Sequence, residues 1–211
     1  MKNVIASYVV AAVLAVAAGA ADAGRNLRDA DSQLQLYWDN GTPGTEFNFY
    51  TGVNSWVAND FNISTLASYN YLVSASACQY SSGWPNGNWN GNLLAIFGFS
   101  GTPGSILWGP VYVRGSGSGG WQTYPIGWSL GSVQSFAVAF SQLYNYPNAD
   151  SFTLDTGSNG GHSWYYYAGV WAHISSLGYG NHALMVRCTV DDSHGNAVAP
   201  ASLGRVKALY H

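Results

Sequence analysis

The stretch Tyr69-Asn70-Tyr71-Leu72-Val73-Ser74-Ala75-Ser76-Ala77-Cys78-Gln79-Tyr80 decides the fold class. In an extended chain, Tyr71, Val73, Ala75 and Ala77 share one side, and Asn70, Leu72, Ser74, Ser76 and Cys78 share the other. A period of two is that of a half-buried strand. The same period recurs in Asn92–Ser100, where Leu93, Ala95, Phe97 and Phe99 share a side, and in Ser135–Leu143, where Phe136, Val138 and Phe140 alternate with Ala137 and Ala139. Shorter strand patterns cover Leu34–Trp38, Glu46–Tyr50, Trp56–Ile63, Ile106–Arg114, Trp121–Pro125, Ser163–Tyr167, Val170–Ile174, His182–Val190 and Arg205–Leu209. Glu46 is the chain's sole Glu, and no helical pattern follows the N-terminal segment. Short strands punctuated by Gly, Pro and Asn predict an all-β sandwich or barrel. Gly-Thr-Pro-Gly occurs at Gly41–Gly44 and Gly101–Gly104 and suits type II turns. Gly115–Gly120 reads as a hairpin loop, and Tyr144–Gly161 as a long irregular surface loop.

The first residues predict export. Lys2 precedes an apolar run from Val4 to about Ala20, which ends in the small-x-small sequence Ala21-Asp22-Ala23. That is the anatomy of a signal peptide over residues 1–23. The competing reading, a membrane anchor, meets a run that is short and poor in Leu, Ile and Phe. Residues 24–32 form an N-terminal arm, and 33–211 a single β-sandwich domain with no later membrane span. The expected location is secreted, extracellular or cell-surface. An exported chain with two cysteines predicts a Cys78–Cys188 disulfide, the alternative being two buried thiols.

Charged residues make up 8% of the chain, against a typical ~25%. The polar surface must come from Ser, Asn, Thr, Gln and Gly, which suits neutral polar ligands, cell-wall polymers or other proteins. A net charge of −3 without a basic cluster argues against nucleic acid. Glycoside hydrolysis needs two facing carboxylates, and Asp39, Glu46, Asp60, Asp150 and Asp155 stand in no such frame. There is no Gly-x-Ser-x-Gly elbow, no reactive cysteine context and no phosphate loop. His162, His173, His182, His194 and His211 lack zinc-ligand spacing. The reading is therefore not an enzyme, with no cofactor. The oxygen-rich turns at Asp39-Asn40-Gly41 and Asp150–Asp155 leave room for a structural Ca2+. Asp155, with His162 beside it, is expected to hold the Asp150–Gly161 loop against the Tyr166–Trp171 hairpin.

Aromatic residues remain. Trp84, Trp89, Trp108, Trp121 and Trp128 lie in or beside Gly, Pro and Asn turns, while core filling competes for each ring. The loop Gly83–Asn92 cannot bury both its indoles and stay otherwise polar. Trp84, Trp89 and Trp121, with the amides of Asn86 and Asn88, are the expected ligand-binding residues.

The order of turn motifs carries a resemblance. Asp39-Asn40-Gly41-Thr42, Gly83-Trp84-Pro85, Gly101-Thr102-Pro103-Gly104, Ser151-Phe152-Thr153-Leu154-Asp155-Thr156, His162-Ser163-Trp164-Tyr165-Tyr166, Tyr166-Tyr167-Ala168-Gly169-Val170-Trp171 and Leu184-Met185-Val186-Arg187 follow one another. The series resembles bacterial secreted jelly-roll-like β-sandwich accessory modules found appended to extracellular peptidases and sorting-domain proteins. It spans Leu36 to Val190. The resemblance implies an antiparallel, jelly-roll-like β-sandwich in an accessory, non-catalytic role. No protease or sorting domain accompanies the module here. Two functional readings follow: a binding module for glycan or cell-surface polymer, or a structural protein that self-assembles with its own copies in an extracellular layer or envelope.

Overall fold

The computed structural model describes residues 33–66, 68–80, 91–115, 119–146, 148–158 and 160–192. The signal and arm segments, Trp84, Trp89, Asn86, Asn88, His194, His211 and the Arg205–Leu209 pattern lie outside the described residues. The strands are β1 (Gln33–Leu36), β2 (Pro43–Phe47), β3 (Ser55–Asn62), β4 (Tyr71–Gln79), β5 (Asn92–Phe99), β6 (Pro103–Val113), β7 (Gly120–Ser129), β8 (Ser135–Gln142), β9 (Phe152–Asp155), β10 (Ser163–Tyr167), β11 (Val170–His173) and β12 (Val186–Asp191). They form two antiparallel sheets. The first runs β1-β12-β4-β9-β2, with β7 also on β4; the second runs β11-β10-β3-β8-β5-β6. The chain crosses repeatedly between them, giving a jelly-roll-like sandwich.

The alternation read from the sequence fills the space between the sheets. Phe136, Val138 and Phe140 of β8 meet Leu94 and Ile96 of β5, Val57 and Phe61 of β3, and Val186 and Val190 of β12 in one core. The opposite face of the second sheet carries Ala58, Ala95, Ala137 and Ala139, all fully buried. Small side chains there let larger neighbours lie flat over the sheet. Trp56, Phe97, Phe99, Trp164 and Trp171 form that cover, with Phe97 edge-on to Trp56 and to Trp171 at 5.4 Å. Hiding a ring such as Phe97 stabilises by roughly 1.5–3 kcal/mol. Most aromatic residues are thus absorbed by packing: Trp108 and Trp128 also rest on the core.

Several sequence expectations change. Leu72 shares the core side with Ala75 and Ala77, where the unbroken alternation puts Tyr71 and Val73. The β12 register skips Val73, since Thr189 faces Ser74 while Val190 faces Leu72, and one inserted residue exchanges the two faces of a strand. In both Gly-Thr-Pro-Gly motifs the positive φ falls on the first glycine, Gly41 (81°) and Gly101 (80°). Pro43 and Pro103 instead open β2 and β6, a strand position where no N–H is needed. The Gly115–Gly120 segment joins different sheets and is not a hairpin loop. The stretch Tyr144–Gly161 contains β9, whose four residues are all buried. Burial on both faces removes the alternation that would have betrayed it.

The predicted disulfide is absent: Cys78 and Cys188 are both free and buried. The physical reason is the pleat. Cys188 pairs with Ala75 and points into the core with Val186 and Val190. Cys78 follows Ala77, which shares that core, so its side chain leaves the sheet on the other face. Burial pushes both thiols above their ordinary range, Cys188 well above it, so they should be inert. Thiol titration without reductant is expected to find both cysteines unreactive in the native protein and both reactive in denaturant. No reactive thiol in denaturant would restore the disulfide.

Candidate functional site

The segment between β1 and β2 is fixed by three aspartates. Asp39 is 4% exposed; its Oδ1 accepts the Gly41 N–H at 2.9 Å. Asn40 Oδ1 accepts the Thr42 N–H at 2.9 Å. These overlapping Asx turns are what Asp and Asn do in turn sequences, and Gly41 supplies the positive φ. Asp155 holds the same segment from the side: its Oδ2 accepts the Asn40 N–H at 2.9 Å. Its Oδ1 accepts Ala183 N–H at 2.7 Å and Ser158 N–H at 3.4 Å. Asp60 of β3 anchors the third point. The Trp38 indole donates to its backbone oxygen at 2.7 Å. Its carboxylate bonds Trp164 Nε1 at 2.7 Å and His162 Nδ1 at 2.9 Å. The His162 ring in turn stacks on Trp38 at 3.6 Å.

That anchoring aims Tyr37 and Asp39 at the outer face of the first sheet. There Arg187 of β12 stands opposite Ser76 of β4, and Trp121 of β7 opposite Cys78. Small residues on the central strand let both long side chains lie across it. Arg187 Nε donates to Asp39 Oδ2 at 2.9 Å and Nη2 donates to Oδ1. Nη1 reaches Gln35 Oε1 at 3.4 Å. The guanidinium lies over the Trp121 ring at 4.1 Å and the Tyr37 ring at 4.9 Å. Cation–π contact of this kind contributes ~0.5–2 kcal/mol and orients both rings. Trp121 remains 37% exposed and Tyr37 40%. Thr123, Gln35 and Gln33 flank them on the same face and are exposed. The result is two oriented rings within a field of hydroxyl and amide groups.

Of the predicted ligand-binding residues, Trp121 therefore sits in this platform; Trp84, Trp89, Asn86 and Asn88 fall outside the described residues. Asp155 makes its contacts with Asn40, Ala183 and Ser158 rather than with the Tyr166–Trp171 hairpin. His162 reaches Asp60 instead of the Asp155 loop. The carboxylates of Asp39 and Asp155 already receive N–H donors on both oxygens, which leaves Ca2+ little to bind there. The described residues hold no cluster of three or more metal-ligating acids, His or Cys. Sequence reading missed Tyr37 and Arg187 as ligand-binding candidates. The available signal was Arg187 itself, the sole charge inside the mostly apolar Leu184–Val190 run, which requires a counter-ion.

A separate cleft of about 510 Å³ opens between the sheets at β2 and β10. Phe47, Phe49, Tyr165, Tyr167 and Tyr179 line it, with Glu46 at its edge. Phe49 and Tyr167 stack in parallel at 5.9 Å. Burial raises the Glu46 pKa, partly opposed by a hydrogen bond from Ser151, and Oε2 has no partner among the described residues.

No family model and no curated protein matches this chain. A solved structure is similar in fold: the cysteine protease and lectin-like domains of Cwp84, a surface layer associated protein of Clostridium difficile. Identity is 15% and the TM-score 0.52, over 77% of this chain and 37% of that one.

Two variants test the anchors. Asp155→Ala strands three N–H groups and is expected to destabilise by at least ~3 kcal/mol, measured by denaturant unfolding; an unchanged midpoint would contradict the role given to that carboxylate. For Glu46, a raised folded pKa means the native state binds the proton more tightly than the unfolded chain. Its contribution to stability therefore falls as pH rises from the ordinary value of 4.5. Glu46→Gln should raise the melting temperature at neutral pH and lose that advantage below 4.5. A uniform effect at every pH would refute the desolvation.

Proposed function

We propose that this chain is a secreted, non-catalytic module that binds glycan or a cell-surface polymer through the Trp121–Arg187–Tyr37 platform. The observation that carries this reading is that Arg187 holds two half-exposed rings in fixed orientation on a sheet face of Ser, Thr and Gln side chains. Sugar rings present an apolar C–H face and a rim of hydroxyls. A held aromatic ring meets the first and amides and hydroxyls meet the second, at little cost in side-chain ordering. The lectin-like domain of the Cwp84 structure supports the same class of module, and its surface-layer association supports a place outside the cell. A non-catalytic role is supported by the acids. Asp39, Asp60 and Asp155 are each 6% exposed or less and each bonded to more than one donor, so none is poised as a nucleophile or proton donor.

Self-assembly draws support from β6, an edge strand on which Ile106, Leu107, Val111 and Tyr112 are 37–58% exposed. Pro103 and Pro110 on the same strand oppose it, because proline withholds the N–H that edge pairing needs. Sedimentation at increasing concentration separates the two readings: a monomer that binds glycan supports the module, and a glycan-silent oligomer supports assembly.

Trp121→Ala removes the larger ring. Binding to a retained polysaccharide should weaken by ~1–3 kcal/mol, measured by calorimetry, while the variant stays folded and loses only about the ~0.5–2 kcal/mol of the cation–π contact in stability. Unaltered affinity in the folded variant would rule the platform out as the binding surface.

A further inference from the structure

The platform contains a cation, and Arg is the residue that most often grips carboxylate and phosphate groups. That would point to an acidic polymer, but the charge is already taken. Asp39 is 4% exposed and bonds Arg187 through both carboxylate oxygens. Asp39 is itself fixed by the Gly41 N–H, so it cannot swing aside for a ligand. Gln35 occupies part of the remaining guanidinium donor set, and the two rings cover it.

The surroundings are as neutral as the pair. Among the described residues Arg114 and Arg187 are the only Lys or Arg, and Arg114 follows β6 in the other sheet. The acids are mostly covered: Asp39, Asp60, Asp150, Asp155 and Asp191 are each 6% exposed or less, and Asp192 is the exposed aspartate among the described residues. Among the described residues, no second cation stands on the face for a uronate, sulfate or phosphate, and no exposed acid cluster for an amino sugar.

Resting on the carbohydrate-binding reading, we infer that Asp39 is a specificity-determining residue which, by cancelling Arg187, restricts the platform to uncharged glycans. The partner class is a neutral polysaccharide, recognised by ring stacking and hydroxyl hydrogen bonds. Binding should be insensitive to salt, since no counter-ions are released. Selection against acidic chains works here by withholding the cation that would bind them.

Affinity electrophoresis of the full chain tests this. The gels contain neutral polymers (hydroxyethyl cellulose, mannan, xyloglucan), acidic ones (polygalacturonate, alginate) or a cationic one (glycol chitosan). The expected result is Trp121-dependent retardation by one or more neutral polymers only, changing less than twofold from ~0.01 to ~1 M NaCl, over which the screening length falls from ~30 to ~3 Å. Asp39→Asn frees the guanidinium and is expected to gain retardation by an acidic polymer that salt abolishes. The double variant Asp39→Asn/Arg187→Gln should show no such gain, and circular dichroism confirms that each variant is folded. If Asp39→Asn does not fold, the wild-type pattern and its salt profile decide alone. Trp121-dependent retardation of the wild type by an acidic or cationic polymer overturns the inference and leaves the carbohydrate reading standing. Retardation by no polymer defeats the carbohydrate reading, and the inference with it.

Discussion

The turn from Tyr37 to Thr42 is held by three buried aspartates that come from different parts of the chain: Asp39 within it, Asp60 on β3 and Asp155 at the end of β9. Each donates no proton and accepts several N–H bonds. The rest of the site depends on this constraint, because the turn decides where Tyr37 points and where the Asp39 carboxylate meets Arg187. Charge-assisted hydrogen bonds to backbone N–H groups are among the stronger polar contacts a fold can make. Two of them, Gly41 N–H to Asp39 and Asn40 N–H to Asp155, converge on a segment that Asp60 holds through its backbone oxygen and the Trp38 indole.

The distribution of charge follows from the same device. Buried carboxylates are costly unless fully bonded, and here their bonding is structural. Among the described residues, burying five aspartates leaves a surface made mainly from Ser, Thr, Asn, Gln and aromatic rings, with Arg114 and Asp192 exposed. Such a surface stays hydrated while carrying little field. It offers no long-range steering to a charged partner and depends on contact for recognition.

Much of the sandwich was legible in the sequence because side chains of different character alternate along its strands. β8 sets Phe136, Val138 and Phe140 on one buried face and the small Ala137 and Ala139 on the other, and Ser163–Tyr167 coincides with β10. β9 was not legible, since Phe152, Thr153, Leu154 and Asp155 are all buried and show no alternation. The bulge at Val73 was equally hidden, because register is decided by the partner strand β12. Trp121 could be picked out by its place after a Gly/Ser run. Its partners could not, because Tyr37 and Arg187 meet it only through the β7-β4-β12 pairing and the turn after β1. The cysteines failed for a related reason: their strands are neighbours, but the pleat sends the two side chains to opposite faces.

The claim that everything converges on is that the Arg187-held rings form the ligand surface. The most direct measurement is an NMR titration of the nitrogen-15-labelled protein with a neutral oligosaccharide cut from a polymer that retards it. Saturable shifts are expected for the Trp121 indole and Arg187 Nε–H signals, together with the backbone amides of Gln35, Tyr37 and Thr123. Shifts confined to Phe47–Tyr50 and Tyr165–Tyr179 would move the site to the cleft between the sheets and contradict it.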